Sequence, residues 1–558
     1  MSFVRQLTAV LVIVLLLPGC GAPAGRQPPA SGTDAEIAAP ASADVLRAVQ
    51  EKATEAHRSP YFHWGTNPDD YDGYDGHSNR LIPVYVYGAR DGVNLHAYDG
   101  EHSAYRDAGK LKALYGHVPD HTLDPGAEYL DQTDLFRLQK DALDAGYRHV
   151  VLVIFDGMDY DATQLAVMLR GGPPRNPGPG DTLAFQAPGA PGFQFGFMVT
   201  SPWSDSAAFD LDSQRVRVGS RDGGYDAARG GKTPWSEQDA AYLIGRHGGH
   251  AVTDSAASAT SMTSGAKTYN GAINVDPGGR RLTTIAQLAQ RRGMAVGAVT
   301  TVPFDHATPA AAYANNVSRN DYQDLARDML GLPSVNHPDP PLPGMDVVIG
   351  AGWGISRRFD AQGDDFQAGN RYIADADLAR VNAENGGRYR VVTRAPGVDG
   401  GEALLAAARQ ASVDGQRLFG LFGTHYAHLP YSTADGGYDP PPDADGDSES
   451  YSPADLSENP DLDQMTRAAL TVLGGDGFWL MVEAGDVDWG EHSDNVDTTA
   501  GAILDGDKAV KSIMDWVSEN GGWDDTLLIV TADHGHMLVW DDPGALARRL
   551  RSEREDQP

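Results

Sequence analysis

Ser255 lies in the run TDSAASATSMTSGAKT, residues 253–268, beside an aspartate and ahead of a series of small residues. Ala256 to Thr263 contains no glycine or proline, so a helix can start here, with Ser255 at or near its N-terminus. A serine in that place either caps the helix or, close to free N–H groups and the positive end of the dipole, accepts a phosphoryl group. Three apolar runs end in metal-capable side chains: VVLVIF before Asp156, FWLMV before Glu483, and LLIVT shortly before Asp533 and His534. Asp488 and His492 stand at i, i+4, a spacing that points both to one side of a helical turn and lets them share a cation. Any one of these groups suits a surface acid or a cap. Several at strand ends on one edge of a sheet suit a metal site. Nitrogen and carboxylate ligands together favour zinc, and an all-oxygen set favours magnesium.

The elements that must hold these groups are apolar strands alternating with helical stretches. Val150–Phe155, Ala295–Val302, Val347–Ile349, Leu418–Phe422, Phe478–Val482 and Leu527–Thr531 read as strands, the longer ones buried on both faces. Residues 44–60, 131–146, 256–263 and 282–291 read as helices, and 305–319 as a loop followed by a helix. This pattern predicts the α/β class, with a mainly parallel central sheet flanked by helices. A carboxylate at the C-terminal end of such a strand stands where open α/β sheets bind ligands. Leu81–Tyr87 reads as a strand whose proline suggests an edge position or an irregular start. Residues 171–250 and about 430–460 read as loop-rich insertions. The DADGDSES segment in the second lacks the glycine placement of a calcium loop.

The chain has 558 residues and a formal net charge of −33. That charge disfavours nucleic acid or an anionic membrane surface as a partner. An anionic substrate would need a locally positive site, which bound cations could supply. The single cysteine, Cys20, excludes disulfides within the chain. Arg5, the apolar run Leu7–Leu17 and the ending LPGC describe a secretory signal over residues 1–19 that resembles a bacterial lipobox. It predicts lipidation at Cys20, membrane attachment through that anchor only, and an extracytoplasmic location in a bacterium. Residues 20–43 read as a flexible tether and 44–558 as one catalytic domain.

The segments DSAAS with SGAKTYNGAI, HATPAA, EAGDVDWGEH and TADHGH resemble signatures of the alkaline phosphatase family, in the same relative order. The resemblance implies an enzyme with two zinc ions and one magnesium ion. Ser255 would be the nucleophile. Asp156, Asp533 and His534 would hold one zinc, and Asp488 and His492 a second. Asp156, Thr308 and Glu483 would hold magnesium, and Arg319 would clamp the phosphate oxygens. His306 and Trp489 stand where the family often has aspartate and lysine, a pairing that also occurs in the family; His306 is expected behind the metal ligands rather than among them.

The family's last zinc ligand is a histidine well after the TADHGH segment, followed by a strand and a D-x-T-D helix. In this sequence 24 residues follow His534. His77-Ser-Asn-Arg-Leu-Ile-Pro-Val-Tyr-Val-Tyr-Gly88 and Asp131-Gln-Thr-Asp-Leu-Phe136 resemble that segment but precede Asp156. The implied order is circularly permuted, with His77 as third ligand beside Asp488 and His492. In the alternative, His77 is an ordinary loop histidine and His536 or water completes the site. His425, His428, His247 and His250 read as structural.

The expected activity is hydrolysis of small phosphate monoesters through a phosphoserine. A phosphodiesterase of the same superfamily and a non-catalytic phosphate- or metal-binding lipoprotein are the rivals. Arg319 favours monoesters, because it suits a terminal phosphate. A sulfatase lacks a cysteine for conversion, and no G-x-S-x-G elbow surrounds Ser255. A homodimer stays open.

Overall fold

A computed structural model describes residues 44–174, 178–245, 250–356, 363–443, 446–475 and 477–555. Cys20, the signal and the tether lie outside the described residues. Among the described residues, ten strands form the main sheet. In chain order these are Leu81–Tyr87 (β1), Leu130–Asp131 (β2), His149–Phe155 (β3), Gln194–Val199 (β4), Ala295–Pro303 (β5), Val347–Ala351 (β6), Tyr389–Thr393 (β7), Arg417–Leu421 (β8), Phe478–Ala484 (β9) and Thr526–Thr531 (β10). Their spatial order is β7-β8-β6-β5-β9-β3-β10-β1-β4-β2.

Seven strands, β7 through β10 in that spatial order, run parallel. Only β1 opposes them, pairing antiparallel with both β10 and β4. The fold is therefore mainly parallel with helices on the sheet, as the sequence predicts. The continuous apolar runs of β3, β9 and β10 are buried at every position. Each fully buried Val, Ile or Leu contributes about 1.5–3 kcal/mol. Helices Leu462–Leu473 and Val496–Glu519 contribute buried faces to the same core. The second can lie directly on β3 because position 506 is glycine: a Cβ there would stand 2.3 Å from Phe155 Cε1.

The expectation that β1 is an edge strand is corrected. It lies inside the sheet, and Pro83 is tolerated because the ladder with β10 begins at Tyr85. The stretch 171–250, read as loop-rich, supplies β4 to the main sheet and the small hairpin Ala208–Asp210/Arg215–Arg217. In 305–319 the helix is a short one, Ala307–Ala311, and Arg319 comes after it. Among the described residues, no helix is long and apolar enough to cross a membrane.

Candidate metal-centred active site

The C-terminal ends of β3, β9 and β10 bring the chemistry-bearing side chains to one edge. The register pairs Glu483 on β9 with Ile154 on β3 and Thr300 on β5. Asp156 follows β3 directly and its N–H donates to Ala484 O at 3.1 Å. Asp533 and His534 follow β10. The helix Asp486–His492 carries Asp488 and His492 on one face, as their spacing requires.

Ser255 is the first residue of the helix Ser255–Ser264. Asp254, not Ser255, is its cap: the Asp254 side chain accepts from Ala257 N. The serine hydroxyl is thereby released from the capping role. Its Oγ stands 3.3 Å from His534 Nε2, and that nitrogen stands 3.3 Å from Asp156 Oδ1. Asp533 Oδ2 lies 3.5 Å from the same nitrogen.

Two groups of ligand-type atoms converge around Asp488. One contains Asp156, Asp488 and His534; the other contains His77, Asp488, His492 and His536. Asp488 Oδ1 stands 2.8 Å from His536 Nε2, 3.4 Å from His77 Nε2 and 3.5 Å from His492 Nε2. His77 Nδ1 is 3.1 Å from Thr253 O, and His492 Nδ1 meets Asp75 O. A ring whose Nδ1 donates to a carbonyl keeps its Nε2 lone pair for a cation. The sequence offered His77 and His536 as alternatives, and the fold gathers both.

Glu483 is fully buried beside Thr300, Thr308 and Asp156. One oxygen each of Asp156 (Oδ1), Glu483 (Oε1) and Asp533 (Oδ2) is buried without a hydrogen-bond partner. Such orphaned carboxylate oxygens need a counter-charge, and the mixture of imidazole and carboxylate donors fits divalent cations. Burial raises the pKa of Asp156 well above the usual carboxylate range, and Asp533, Asp488 and Glu483 add repulsion. Burial opposes ionisation of Asp488 too, but His492, His536 and His77 outweigh it and hold the group well below its ordinary value. His534 is held well below its ordinary value by burial and by His77, so its imidazole is neutral, the form that ligates metals.

Arg319 reaches the same pocket from the loop after Ala307–Ala311. Its Nη1 pairs with Asp254 Oδ2 at 3.0 Å, and its Nη2 lies 3.4 Å from His306 Nε2. Its N–H donates to Gly271 O, and Gly271 N–H donates back to Asp254. Asp254 therefore joins the serine helix to the guanidinium, a role the bare sequence did not reveal. Burial and Arg319 push His306 down to about 3. Its ring packs edge-on to Trp489 at 5.8 Å. Of the histidines read as structural, His428 lies at hydrogen-bond distance from Leu429 O and Glu449, and His250 from Tyr242. His425 enters no metal-type group among the described residues, and His247 lies outside them.

A profile of the family described as alkaline phosphatase matches residues 237–545. The chain is 33% identical over 293 residues to an alkaline phosphatase of Escherichia fergusonii, covering 51% of this chain and 58% of that protein. It is 31% identical to the Escherichia coli alkaline phosphatase over the same shares. It is also 32% identical over 305 residues to a streptomycin-6-phosphate phosphatase of Streptomyces griseus, covering 51% and 62%. The chain thus spans about three fifths of the length of these relatives. Among solved structures, the Thermus thermophilus alkaline phosphatase is similar at a TM-score of 0.42 and 24% identity, over 70% of this chain and 60% of that one. His77 and Asp156 precede the matched stretch.

Proposed function

Because this chain belongs to the alkaline phosphatase family, we propose that it is a metal-dependent phosphomonoester hydrolase acting through a phosphoserine. The observation that carries this reading is the Ser255 hydroxyl, 3.3 Å from His534 in a pocket where two metal-type groups share Asp488. Asp156, Asp533 and His534 would hold one zinc, and Asp488, His492 and His77 the other. Asp156, Thr308 and Glu483 would hold magnesium. Bound there, the cations would lower the pKa of a hydroxyl or water and offset the charge that builds on phosphoryl oxygens.

The chain's own groups do the rest. Arg319 binds two phosphate oxygens through its planar fork, and Asp254 keeps that fork turned toward the serine. Ser255 Oγ bonds to phosphorus while the ester oxygen leaves with its alcohol. Water then attacks phosphorus, releases phosphate and restores the serine. The free N–H groups at the helix start favour the anion in both steps.

We also propose a permuted chain order, in which residues 77–136 do the work of the family's C-terminal segment. Supporting it, β1 pairs with β10, and His77 reaches Asp488 and His492. The lipobox-like sequence before Cys20 supports an anchored, extracytoplasmic protein. The test is turnover of an aryl phosphate by the wild type, with and without chelator, and by Ser255→Ala, with acid-quenched protein assayed for phosphoserine. Chelator-sensitive activity and a phosphoserine absent from the variant are expected. Activity that survives chelation, or survives in Ser255→Ala, overturns the reading.

A further inference from the structure

We propose that Gln132 is a positioning residue that sets where the ligand carboxylate of Asp533 stands relative to the serine helix. The inference rests on the reading of Asp533 as a metal ligand. Gln132 opens the helix Gln132–Asp144 and is fully buried. Its Nε2 donates to Asp533 O at 2.6 Å and also to Ser258 Oγ. Ser258 lies one turn after Ser255, and its own hydroxyl donates to Asp533 O at 2.5 Å. The Asp533 carbonyl thus accepts two bonds, one from each of two helices.

The side chain of Asp533 is pinned separately. Its Oδ1 accepts from Gly157 N at 3.1 Å and from His534 N at 3.0 Å, which leaves Oδ2 turned toward His534 Nε2. Backbone and carboxylate are both held, so the Oδ2 position follows from where the carbonyl is clamped. The amide of Gln132 is itself oriented, because Lys267 Nζ stands 3.5 Å from its Oε1 and pairs with Asp131. Partners that orient a ligand from behind are worth about 10–100-fold in metal affinity or activity.

The next polar residue along the same helix face gives the control. Gln139 donates to Met262 O on the serine helix and accepts from Trp479 Nε1, so it ties the same two helices without touching Asp533. The experiment compares wild type, Gln132→Leu, Gln132→Glu and Gln139→Leu. Gln132→Glu keeps the shape and removes the donor. Zinc release to a chelating dye is read beside the melting temperature of the metal-stripped proteins and the absorption spectrum of the cobalt-loaded ones.

Both Gln132 variants are expected to release metal about 10–100-fold faster than wild type and to shift the cobalt bands, whereas Gln139→Leu lowers the melting temperature and leaves both unchanged. If Gln132→Glu retains metal and cobalt bands like wild type, or if metal release in Gln132→Leu only matches that of Gln139→Leu, the inference fails. A wild type that binds no metal overturns the functional reading instead.

Discussion

His77 and His492 are 415 positions apart, and their Nε2 atoms stand 3.0 Å from one another. With Asp488 Oδ1 3.4 Å and 3.5 Å away, the two nitrogens and that oxygen form a close trio of ligand-type atoms. Each ring is braced from behind by a backbone carbonyl.

His77→Ala should therefore lose a metal ion rather than merely loosen a loop. About one zinc fewer per chain by elemental analysis, with turnover of an aryl phosphate down by at least ~100-fold, is expected. Full zinc content in the variant would remove His77 from the site and with it the permuted order.

Arg319→Lys keeps the positive charge and gives up the planar fork. The loss of a charge-assisted hydrogen bond, about 1.5–3 kcal/mol, should raise KM for a phosphate monoester by roughly 10–100-fold. An unchanged KM, with phosphate inhibition also unchanged, would place the phosphate elsewhere.

Lys267 and Asp131 form an ion pair with both side chains fully buried, at 3.0 Å. Replacing Lys267 by Met strands the carboxylate and should cost about 3–5 kcal/mol in urea denaturation. Adding Asp131→Asn to that variant should recover part of the loss. A double variant no better than the single one would mean the pair is not the source of the stability.

Asp134 gives a pH signature. Burial and the neighbouring Asp131, opposed by Arg137, push its carboxyl up from 3.8 to about 6. The native state thus holds a proton that the unfolded chain has released. The stabilising contribution is complete below pH 3.8 and is lost as pH rises through 6. Two pH units amount to about 3 kcal/mol, so Asp134→Asn should gain about that much stability relative to wild type between pH 4 and pH 7. Parallel stability curves for the two proteins would contradict the shift.

The strands that place Asp156, Glu483 and Asp533 were legible because each is an unbroken apolar run, the pattern of a strand covered on both faces. Strand β4 was not, since glycine and polar residues interrupt QFGFMV within a Gly- and Pro-rich stretch, and four of its six residues are only half-buried. The two residues of β2 are too few to show a period. Spacing identified Asp488 and His492, but nothing local assigned Asp254 to Arg319 or Gln132 to Asp533, because those contacts join segments 65 and 401 positions apart. The likeness of residues 131–136 to a family segment pointed at Gln132 without giving its partner.

Strand β10 fills the gap between β3 and β1, and it is the last strand of the main sheet to leave the ribosome. Until then β3 and β1 have no neighbour in common, and His534 and His536 do not yet exist beside Asp488. Folding of this corner must therefore await the segment that carries β10, so cation capture is expected to follow the docking of that strand rather than guide the strands before it. Chain closure over such distances is slow, and the half-built sheet would expose two apolar strand edges meanwhile.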